Sequence, residues 1–109
     1  MAFETLFERY DRLVILDTET TGLNYSRDEI IEFAAVTVEQ REGKAQIIEE
    51  YDELIALSPG GFIPPNIVEL TGITNEAVRE RGISKTRLCR DIGEMIRGNT
   101  LLLAYNAHF

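Results

Sequence analysis

The sequence predicts an α/β fold in which a mixed β-sheet has three antiparallel strands, followed by helices and then a parallel strand. Three observations predict it. Residues 13–23 (LVILDTETTGL) and 30–39 (IIEFAAVTVE) begin with or consist of apolar and β-branched residues at both odd and even positions, as buried strands do. A helical period follows at 85–97, and a further apolar run, TLLLAY, follows at 100–105. A strand that follows a helix in this way is typically parallel and buried.

Two carboxylates, Asp17 and Glu19, stand at the end of the first apolar run. Because side chains alternate along a strand, both point to the same face, about 6–7 Å apart along the backbone. Carboxylates entering a buried interior need a counter-charge, and between Asp11 and Arg27 the only basic residue is Arg12. A bound divalent metal with oxygen ligands, Mg²⁺ or Mn²⁺, is one interpretation. The alternative is a strand that runs into solvent and carries two ordinary surface acids.

The residues after these two acids predict a turn and then a second strand. Thr20, Thr21 and Gly22 form the turn, and the missing side chain of Gly22 would let backbone amides approach a substrate closely. Residues 24–28 (NYSRD) are predicted to form a loop. Within the second strand, Glu32 is an acid among apolar residues. We interpret it either as a group that supports the metal site or as an acid at the rim of the sheet.

A hairpin is predicted next, because residues 41–44 (REGK) offer a tight polar turn with Gly43 available for a positive φ. The returning segment, residues 45–57, has apolar residues that fit a helical period better than strict alternation. We nevertheless predict a strand, because the short turn favours an antiparallel return. Its many acidic residues suit a sheet edge that must avoid pairing with another chain.

The helical part of the chain is marked by residues that cap helices. Residues 58–66 (SPGGFIPPN) hold all three prolines and are predicted to form a loop. Asn66 is predicted to cap a short helix through residue 70, Thr74 another through residue 80, and Ser84 a longer helix over residues 85–97.

Composition limits the classes of function. A chain of 109 residues, 44% of them hydrophobic, is long enough for a single domain or part of one. Cys89 is the only cysteine and is interpreted as a small packing residue, so an internal disulfide is excluded. The sequence has neither a targeting signal nor an apolar run of about 20 residues. We expect a cytoplasmic protein with no membrane partner. The net charge of −8 disfavours electrostatic binding of phosphate, so any contact with nucleic acid needs cations, a short basic region or a partner.

Separate segments of the chain resemble one protein family. DTETTGL at 17–23 resembles the first motif of the DEDD, or DnaQ-like, 3′→5′ exonucleases, which include proofreading subunits of bacterial replicative polymerases and ribonuclease T. The tail AYNAHF at 104–109 resembles the approach to that family's second motif, and LTGIT at 70–74 resembles its substrate-pocket segment. The stretch at 6–23 is also similar to exonuclease segments of the Gram-positive type of replicative polymerase. The resemblance covers nearly the whole chain.

The resemblance implies an RNase H-like fold and hydrolysis of phosphodiester bonds to nucleoside 5′-monophosphates with two divalent cations, Mg²⁺ or Mn²⁺. Asp17 would bridge both cations and Glu19 would bind one, with the metals about 3.5–4 Å apart. The backbone at Thr18 and Thr20 would meet the terminal nucleotide of a single-stranded 3′ end of DNA or RNA, and Leu23 would wedge against its base. By the same resemblance, the pocket would be lined by Leu70, Thr71, Asn106 and Phe109. For Leu23 and Phe109 the alternative is packing in the core.

The chain also departs from the family's pattern. After Phe109, the Asp of the second motif and the whole third motif, with its general-base His and last Asp, are absent. His108 does not match that base. We therefore expect residues 1–109 to be the N-terminal part of a single exonuclease domain, C-terminally truncated and without a second domain. Alone, this part should bind metal weakly and lack catalysis.

Two hypotheses follow for the function. In the first, the parent protein is a 3′→5′ exonuclease, either a free enzyme or the proofreading exonuclease of a DNA polymerase III. In the second, it is a non-catalytic interaction module that keeps the exonuclease fold. Because the last strand lacks helices to cover it, we also expect residues 1–109 to form a homodimer, exchange a segment or expose an apolar patch.

Overall fold

The computed structural model describes residues 3–24 and 26–105, and the side chains from residue 5 onward. The helices and strands follow the predicted order with a short helix added at the start. In chain order they are α1 (Phe3–Phe7), β1 (Arg12–Thr20), β2 (Ile30–Arg41), β3 (Lys44–Leu54), α2 (Pro65–Thr71), α3 (Asn75–Arg81), α4 (Lys85–Met95) and β4 (Thr100–Ala104).

The four strands form one mixed sheet in the order β3-β2-β1-β4. The β1–β2 and β2–β3 pairs are antiparallel, and β4 runs parallel to β1. The hairpin between β2 and β3 turns at Glu42 and Gly43, whose φ angles are 54° and 78°, as a two-residue hairpin turn requires. The predicted mixed sheet is therefore confirmed, and the ambiguous segment after the hairpin is an edge strand.

A β-bulge in β3 decides which of its side chains reach each face of the sheet. The pairing of β2 with β3 skips Ile48, so the register shifts by one residue between the hairpin and the rest of the strand. Tyr51 consequently lies on the face that packs against α4. Its hydroxyl donates a hydrogen bond to Asp91 at 2.8 Å, and its ring meets Phe33 edge to face at 6.1 Å. Asp52 takes the opposite face.

Helix α4 covers one face of the sheet. As predicted, Ser84 caps it, since its Oγ accepts a hydrogen bond from the backbone N–H of Arg87 at 3.1 Å. The helix ends at Met95, two residues before the predicted end. The core beneath it lies on the face away from Asp17 and consists of Val14, Phe33, Ala35, Ile55, Ile83, Leu88 and Met95.

Helices α2 and α3 enclose a second, smaller core of Ile31, Ile63, Ile73 and Val78. Thr74 caps α3 as predicted, accepting from the N–H of Ala77 at 3.0 Å. The predicted cap at Asn66 is wrong. Helix α2 starts at Pro65, two residues before the predicted first helical residue, and its N-cap, Pro64, forms no side-chain hydrogen bond. Proline suits the first helical position because its φ is fixed near the helical value and because an N–H there would have no partner within the helix.

Two predictions of burial are wrong. Strand β4 is parallel, as predicted, but Leu102 is 46% exposed, since β4 is the edge strand of the described sheet. This exposure agrees with the separate expectation of an exposed apolar patch on the last strand. Cys89 is exposed on α4 instead of packed in the core. Within the described residues, no helix is both long and apolar enough to span a membrane.

Candidate active site

Asp17 and Glu19 lie on the same face of β1 near its carboxyl end, as predicted, because the strand continues through Thr20. Asp17 pairs with Ala34 of β2, and Glu19 pairs with Glu32. Asp17 is exposed and Glu19 is half-buried. The expectation that both carboxylates enter a buried interior is therefore wrong, because α4 packs on the other face of the sheet.

The face of the sheet that carries Asp17 is open around this residue. A groove of about 600 Å³ runs along it and is lined by Asp17, by Asp52 of β3 and by Tyr105 after β4, among others. An open groove beside a carboxylate gives a ligand access to its oxygens.

Four acidic side chains lie close together near this end of the sheet: Asp17, Glu19, Glu32 and Asp52. Burial, a hydrogen bond with Asp52 and the charges of Asp52, Glu19 and Asp17 raise the pKa of Glu32 to about 7. Among the described residues, none of these four carboxyl groups forms an ion pair with a basic side chain. The structure thus places Glu32 opposite Glu19, a position compatible both with support of a metal site and with an acid at the rim of the sheet. An uncompensated cluster of acids favours binding of a cation.

Sequence reasoning missed Asp52 as a member of this cluster. Counting from the hairpin turn without a bulge places Tyr51, not Asp52, opposite Ala34. The shift at Ile48 brings Asp52 to that position. A signal was present in the irregular spacing of the apolar residues of β3, which fits neither a strand nor a helix cleanly.

The chemistry of Asp17 and Glu19 suits a hard divalent cation, because carboxylate oxygens are the ligands that Mg²⁺ and Mn²⁺ prefer. Over residues 3–24 and 26–105, however, no group of three or more His, Cys, Asp or Glu side chains is arranged to hold a metal ion. Asp17 and Glu19 therefore fit part of a metal site.

The turn after β1 is built around the carboxylate of Asp28. This group accepts hydrogen bonds from the hydroxyl of Thr21 at 3.0 Å and from the N–H of Asn24 at 2.8 Å. The Thr21 hydroxyl in turn accepts from the N–H of Glu29 at 3.0 Å. A Cβ at Gly22 would lie only 2.5 Å from an oxygen of Asp28, so a side chain here would displace this carboxylate from its hydrogen bonds. The contact of Gly22 with substrate stays a prediction.

The predicted substrate contacts on the turn and on α2 differ in their surroundings. Leu23 is 73% exposed and Leu70 is 80% exposed, so core packing is excluded for Leu23. The Thr71 hydroxyl donates to the carbonyl of Ile67 at 2.8 Å and accepts from the N–H of Ile73 at 3.1 Å. These bonds stabilise the end of α2. The two leucines are thus free to contact a ligand, whereas the Thr71 side chain already has two partners.

The remaining predicted contacts lie on β1 or outside the described residues. The side chains of Thr18 and Thr20 take the face opposite to Asp17, so a contact with substrate on the Asp17 side would have to be made by their backbone. That contact stays a prediction. The Thr20 hydroxyl donates to a carbonyl in the turn at 2.6 Å. Asn106 and Phe109, together with His108, lie outside the described residues.

Comparison with known proteins identifies the family. The model of the RNase T-type exonuclease family matches residues 14–109. The chain belongs to the exonuclease family. Its DTETTGL motif and its tail both lie inside the matched region, so the resemblance drawn from the sequence is confirmed.

Relatives of this chain include two DNA polymerase III proteins. It is 35% identical over all its residues to the PolC-type DNA polymerase III of Thermotoga petrophila and covers 7% of that protein. It is also 35% identical over all its residues to DNA polymerase III subunit epsilon of Treponema pallidum and covers 48% of it. The chain therefore spans less than half the length of these curated relatives.

Solved structures confirm the predicted RNase H-like fold. E. coli exonuclease I in complex with a dT13 oligonucleotide matches with a TM-score of 0.75 and 25% identity, over 88% of this chain and 20% of that one. A product-bound exonuclease I matches with a TM-score of 0.76 and 23% identity, over 89% and 22%.

Glu29 connects the turn of this exonuclease chain to α4. Its Oε1 accepts from the N–H of Ser58 at 3.0 Å and from its hydroxyl at 2.8 Å, and it pairs with Lys85 Nζ at 2.8 Å. The hydrogen bond with Lys85, assisted by those with Ser58, holds the pKa of Glu29 below its ordinary value although burial opposes the shift. Glu29 thus fixes the turn relative to the loop before α2.

Glu29→Gln is expected to destabilise the protein by about 1 kcal/mol at pH 7, since a partly exposed charged hydrogen bond is lost. Because the folded pKa is lowered, the carboxylate contributes stability above its unfolded pKa, near 4.5, and that contribution is lost as the pH falls through the folded value. Urea unfolding of both proteins between pH 7 and pH 3 measures this. A difference that does not shrink on acidification would show that the charge of Glu29 is not responsible.

Proposed function

We propose that this chain is part of a 3′→5′ exonuclease that acts on the single-stranded 3′ end of DNA or RNA and releases nucleoside 5′-monophosphates. Asp17 and Glu19 would be ligands of two divalent cations, Mg²⁺ or Mn²⁺. The observation that carries the proposal is the position of these two carboxylates. They lie on one face of β1, beside an open groove and next to further acids, in a chain of the exonuclease family.

Different residues of the chain would bind the cations and position the nucleotide. Asp17 and Glu19 would hold the cations. The cations, when bound, supply the charge that activates water and stabilises the leaving 3′ oxygen. The backbone at Thr18 and Thr20 flanks Glu19 and would orient the terminal nucleotide. Leu23, exposed beyond the turn, would limit the position of its base.

The substrate pocket would extend to α2. Leu70 is highly exposed and lies one helical turn from Asn66 and Ile67, which line the groove beside the turn after β1. Leu70 would therefore add apolar contact to the terminal nucleotide, and the backbone at Thr71 would close the pocket. Asn106 and Phe109 would complete it.

Charge explains why cations would be needed. The chain has a net charge of −8, and the face that carries Asp17 adds Glu32 and Asp52 to the two candidate ligands. A phosphate would be repelled by this surface. Bound divalent cations would reverse that repulsion locally, so binding of metal and binding of substrate are expected to be coupled.

The setting of the activity would be DNA replication. Both relatives described above are named as DNA polymerase III proteins, which supports a proofreading role with a DNA polymerase as partner. Residues 1–109 would then be the N-terminal part of a single exonuclease domain. The fragment alone would bind metal weakly and lack catalysis. It would also form a homodimer or exchange a segment, covering apolar side chains such as Leu102 and Tyr105, which are 46% and 69% exposed.

End-labelled oligonucleotides test the proposal. With Mg²⁺, the full-length protein is expected to shorten a 5′-labelled single strand one nucleotide at a time from its 3′ end, and to release the 3′-terminal residue as a 5′-monophosphate. Chelation of the metal should stop the reaction, and added Mg²⁺ or Mn²⁺ should restore it. Internal cuts, release from the 5′ end or activity in the presence of EDTA would contradict it.

A non-catalytic interaction module is the second candidate. The observation that favours it is the incomplete set of metal ligands in the described part of the chain. This candidate predicts that the full-length protein leaves the labelled strand intact at every metal concentration, so the same assay decides between the two functions.

A further inference from the structure

A second groove, of about 720 Å³, opens beside the turn after β1 and is separate from Asp17 and Glu19. One part of its lining comes from the turn itself and includes Leu23. Another part comes from the loop before α2 and includes Phe62. These two large apolar side chains are 73% and 66% exposed. They line one groove from separate segments of the chain without being packed in either core, and such exposed apolar surface is typical of a binding site.

The backbone on both sides of Phe62 is held in place. Before it, the N–H of Gly61 donates to the carbonyl of Ser58 at 2.8 Å. After it, the side chain of Asn75 accepts from the N–H of Ile63 at 2.7 Å and donates to its carbonyl at 3.2 Å. Ile63 itself is only 1% exposed. The exposed position of the aromatic ring is therefore built into the fold.

Arg27 adds a positive charge to the same groove. Its side chain is 77% exposed, and its ion pair with Asp28 is long, at 3.8 Å. The oxygens of Asp28 already accept hydrogen bonds from Thr21 and Asn24, so the pair contributes little. The guanidinium can therefore turn toward an anion such as a phosphate, to which its planar fork is well matched.

We propose that this groove binds the second nucleotide from the 3′ end of the strand, with its base stacked on Phe62 and a neighbouring phosphate paired with Arg27. The inference rests on the proposed exonuclease function. The groove begins at Thr21, two residues beyond Glu19, and Leu23, assigned to the terminal base, lines it as well. Because Leu23 and Phe62 line the same groove, a strand whose terminal base contacts Leu23 would place its next base against the ring of Phe62. Every base can stack on an aromatic ring, so such a contact suits an enzyme that must degrade any sequence.

The test measures binding separately from hydrolysis. A 5′-fluorescent single strand is titrated with the full-length protein, with Ca²⁺ in place of Mg²⁺ to suppress hydrolysis. Removing the second base from the 3′ end is expected to weaken binding by about 5- to 150-fold, whereas removing the fifth base should change it little. Phe62→Ala should weaken binding of the complete strand by a similar factor and leave binding of the strand that lacks the second base unchanged. Phe62→Tyr, which keeps the ring, should bind the complete strand more tightly than the strand that lacks the second base, as the wild type does.

Arg27 has a test of its own. Arg27→Gln is expected to lower the slope of log affinity against log salt by about 0.7, the value for one phosphate of a single strand. An unchanged slope would overturn the phosphate contact. The stacking contact would be contradicted if the wild type bound the complete strand and the strand without the second base with equal affinity. It would also be contradicted if Phe62→Ala weakened binding of both strands equally.

Hydrolysis is measured with Mg²⁺ on the same preparations, so the two proposals fail separately. If the protein shortens the strand but does not show the predicted binding pattern, only the proposal that the groove binds the second nucleotide is contradicted. If the protein shows the predicted binding pattern but does not shorten the strand, the proposed exonuclease activity is contradicted and the proposed binding of the second nucleotide stands. Thermal melting of each variant checks the fold, and the comparison of the two strands on the wild type needs no variant.

Discussion

Asp17→Asn is expected to lower the kcat of the proposed exonuclease activity of the full-length protein by about 10³-fold or more, with little change in the free energy of unfolding. The substitution keeps the shape of the side chain and removes the charge that would bind the cations. Metal stabilisation of a transition state contributes several kcal/mol, and each 1.36 kcal/mol corresponds to about tenfold in rate. Because Asp17 is exposed, its loss leaves no buried charge without a partner. Initial rates of nucleotide release and urea unfolding measure the two effects.

Glu49→Gln is the matched control for this prediction. It removes the same charge from an exposed position of β3, opposite Thr37 and away from β1. Its rate should stay within about twofold of wild type, since surface substitutions of this kind rarely matter. If Asp17→Asn kept more than a tenth of the wild-type rate, or lost activity only in proportion to lost stability, Asp17 would not be a metal ligand.

Gly82→Ala is expected to destabilise the protein by about 3 kcal/mol. A Cβ at this position would lie 2.4 Å from the carbonyl oxygen of Val78 and 2.8 Å from the backbone nitrogen of Ala56. Both atoms belong to backbone that cannot move alone. Next to Gly82, Ile83 donates its N–H to Leu54 at 2.8 Å and accepts from Ala56 at 2.8 Å. Relief of the clash would break this junction, and overpacking of this kind typically costs about 1–3 kcal/mol or more.

Gly93→Ala is the same substitution where there is space. Gly93 lies inside α4, and a Cβ there would meet no atom within 4 Å. Alanine is a better helix former than glycine by roughly 1 kcal/mol, so this variant should be more stable than wild type. Urea unfolding of both variants gives the comparison. Similar free energies of unfolding for Gly82→Ala and wild type would show that the junction at Ile83 is looser than the structure indicates.

The sheet and the position of its two leading acids could be predicted from local patterns. The alternation of side chains puts Asp17 and Glu19 on one face whatever the rest of the chain does. The hairpin turn at Gly43 and the caps at Thr74 and Ser84 depend on the preferences of single residues, and each is confirmed. Features that depend only on residues close together in the sequence could therefore be predicted.

Features that depend on distant contacts could not be predicted in the same way. The bulge at Ile48 shifts the β2–β3 register by one residue and so moves Asp52 to the face of Asp17. The irregular spacing of the apolar residues of β3 indicates a departure from a regular strand, but it does not show at which residue the register shifts. The exposure of Asp17 and of Leu102 depends on which segments cover the sheet, whereas the apolar pattern shows only which residues can be covered.

Exposure also separated two roles that the sequence left open. An apolar residue next to a motif is compatible with core packing and with contact to a substrate. The structure leaves Leu23 and Leu70 in solvent and buries Ile63 and Ile73, although all four have similar side chains. The difference arises from the tertiary arrangement of the turn, the loop before α2 and α3.

Titration of the full-length protein with Mn²⁺ measures directly whether Asp17 and Glu19 bind cations, because it requires no substrate. The signal of free Mn²⁺ in electron paramagnetic resonance gives the bound fraction. The wild type and Glu49→Gln should bind Mn²⁺ with the same affinity, and the double variant Asp17→Asn, Glu19→Gln should bind it at least about tenfold more weakly, since even partners of metal ligands contribute that much. Equal binding of Mn²⁺ by the wild type and the double variant would contradict the account.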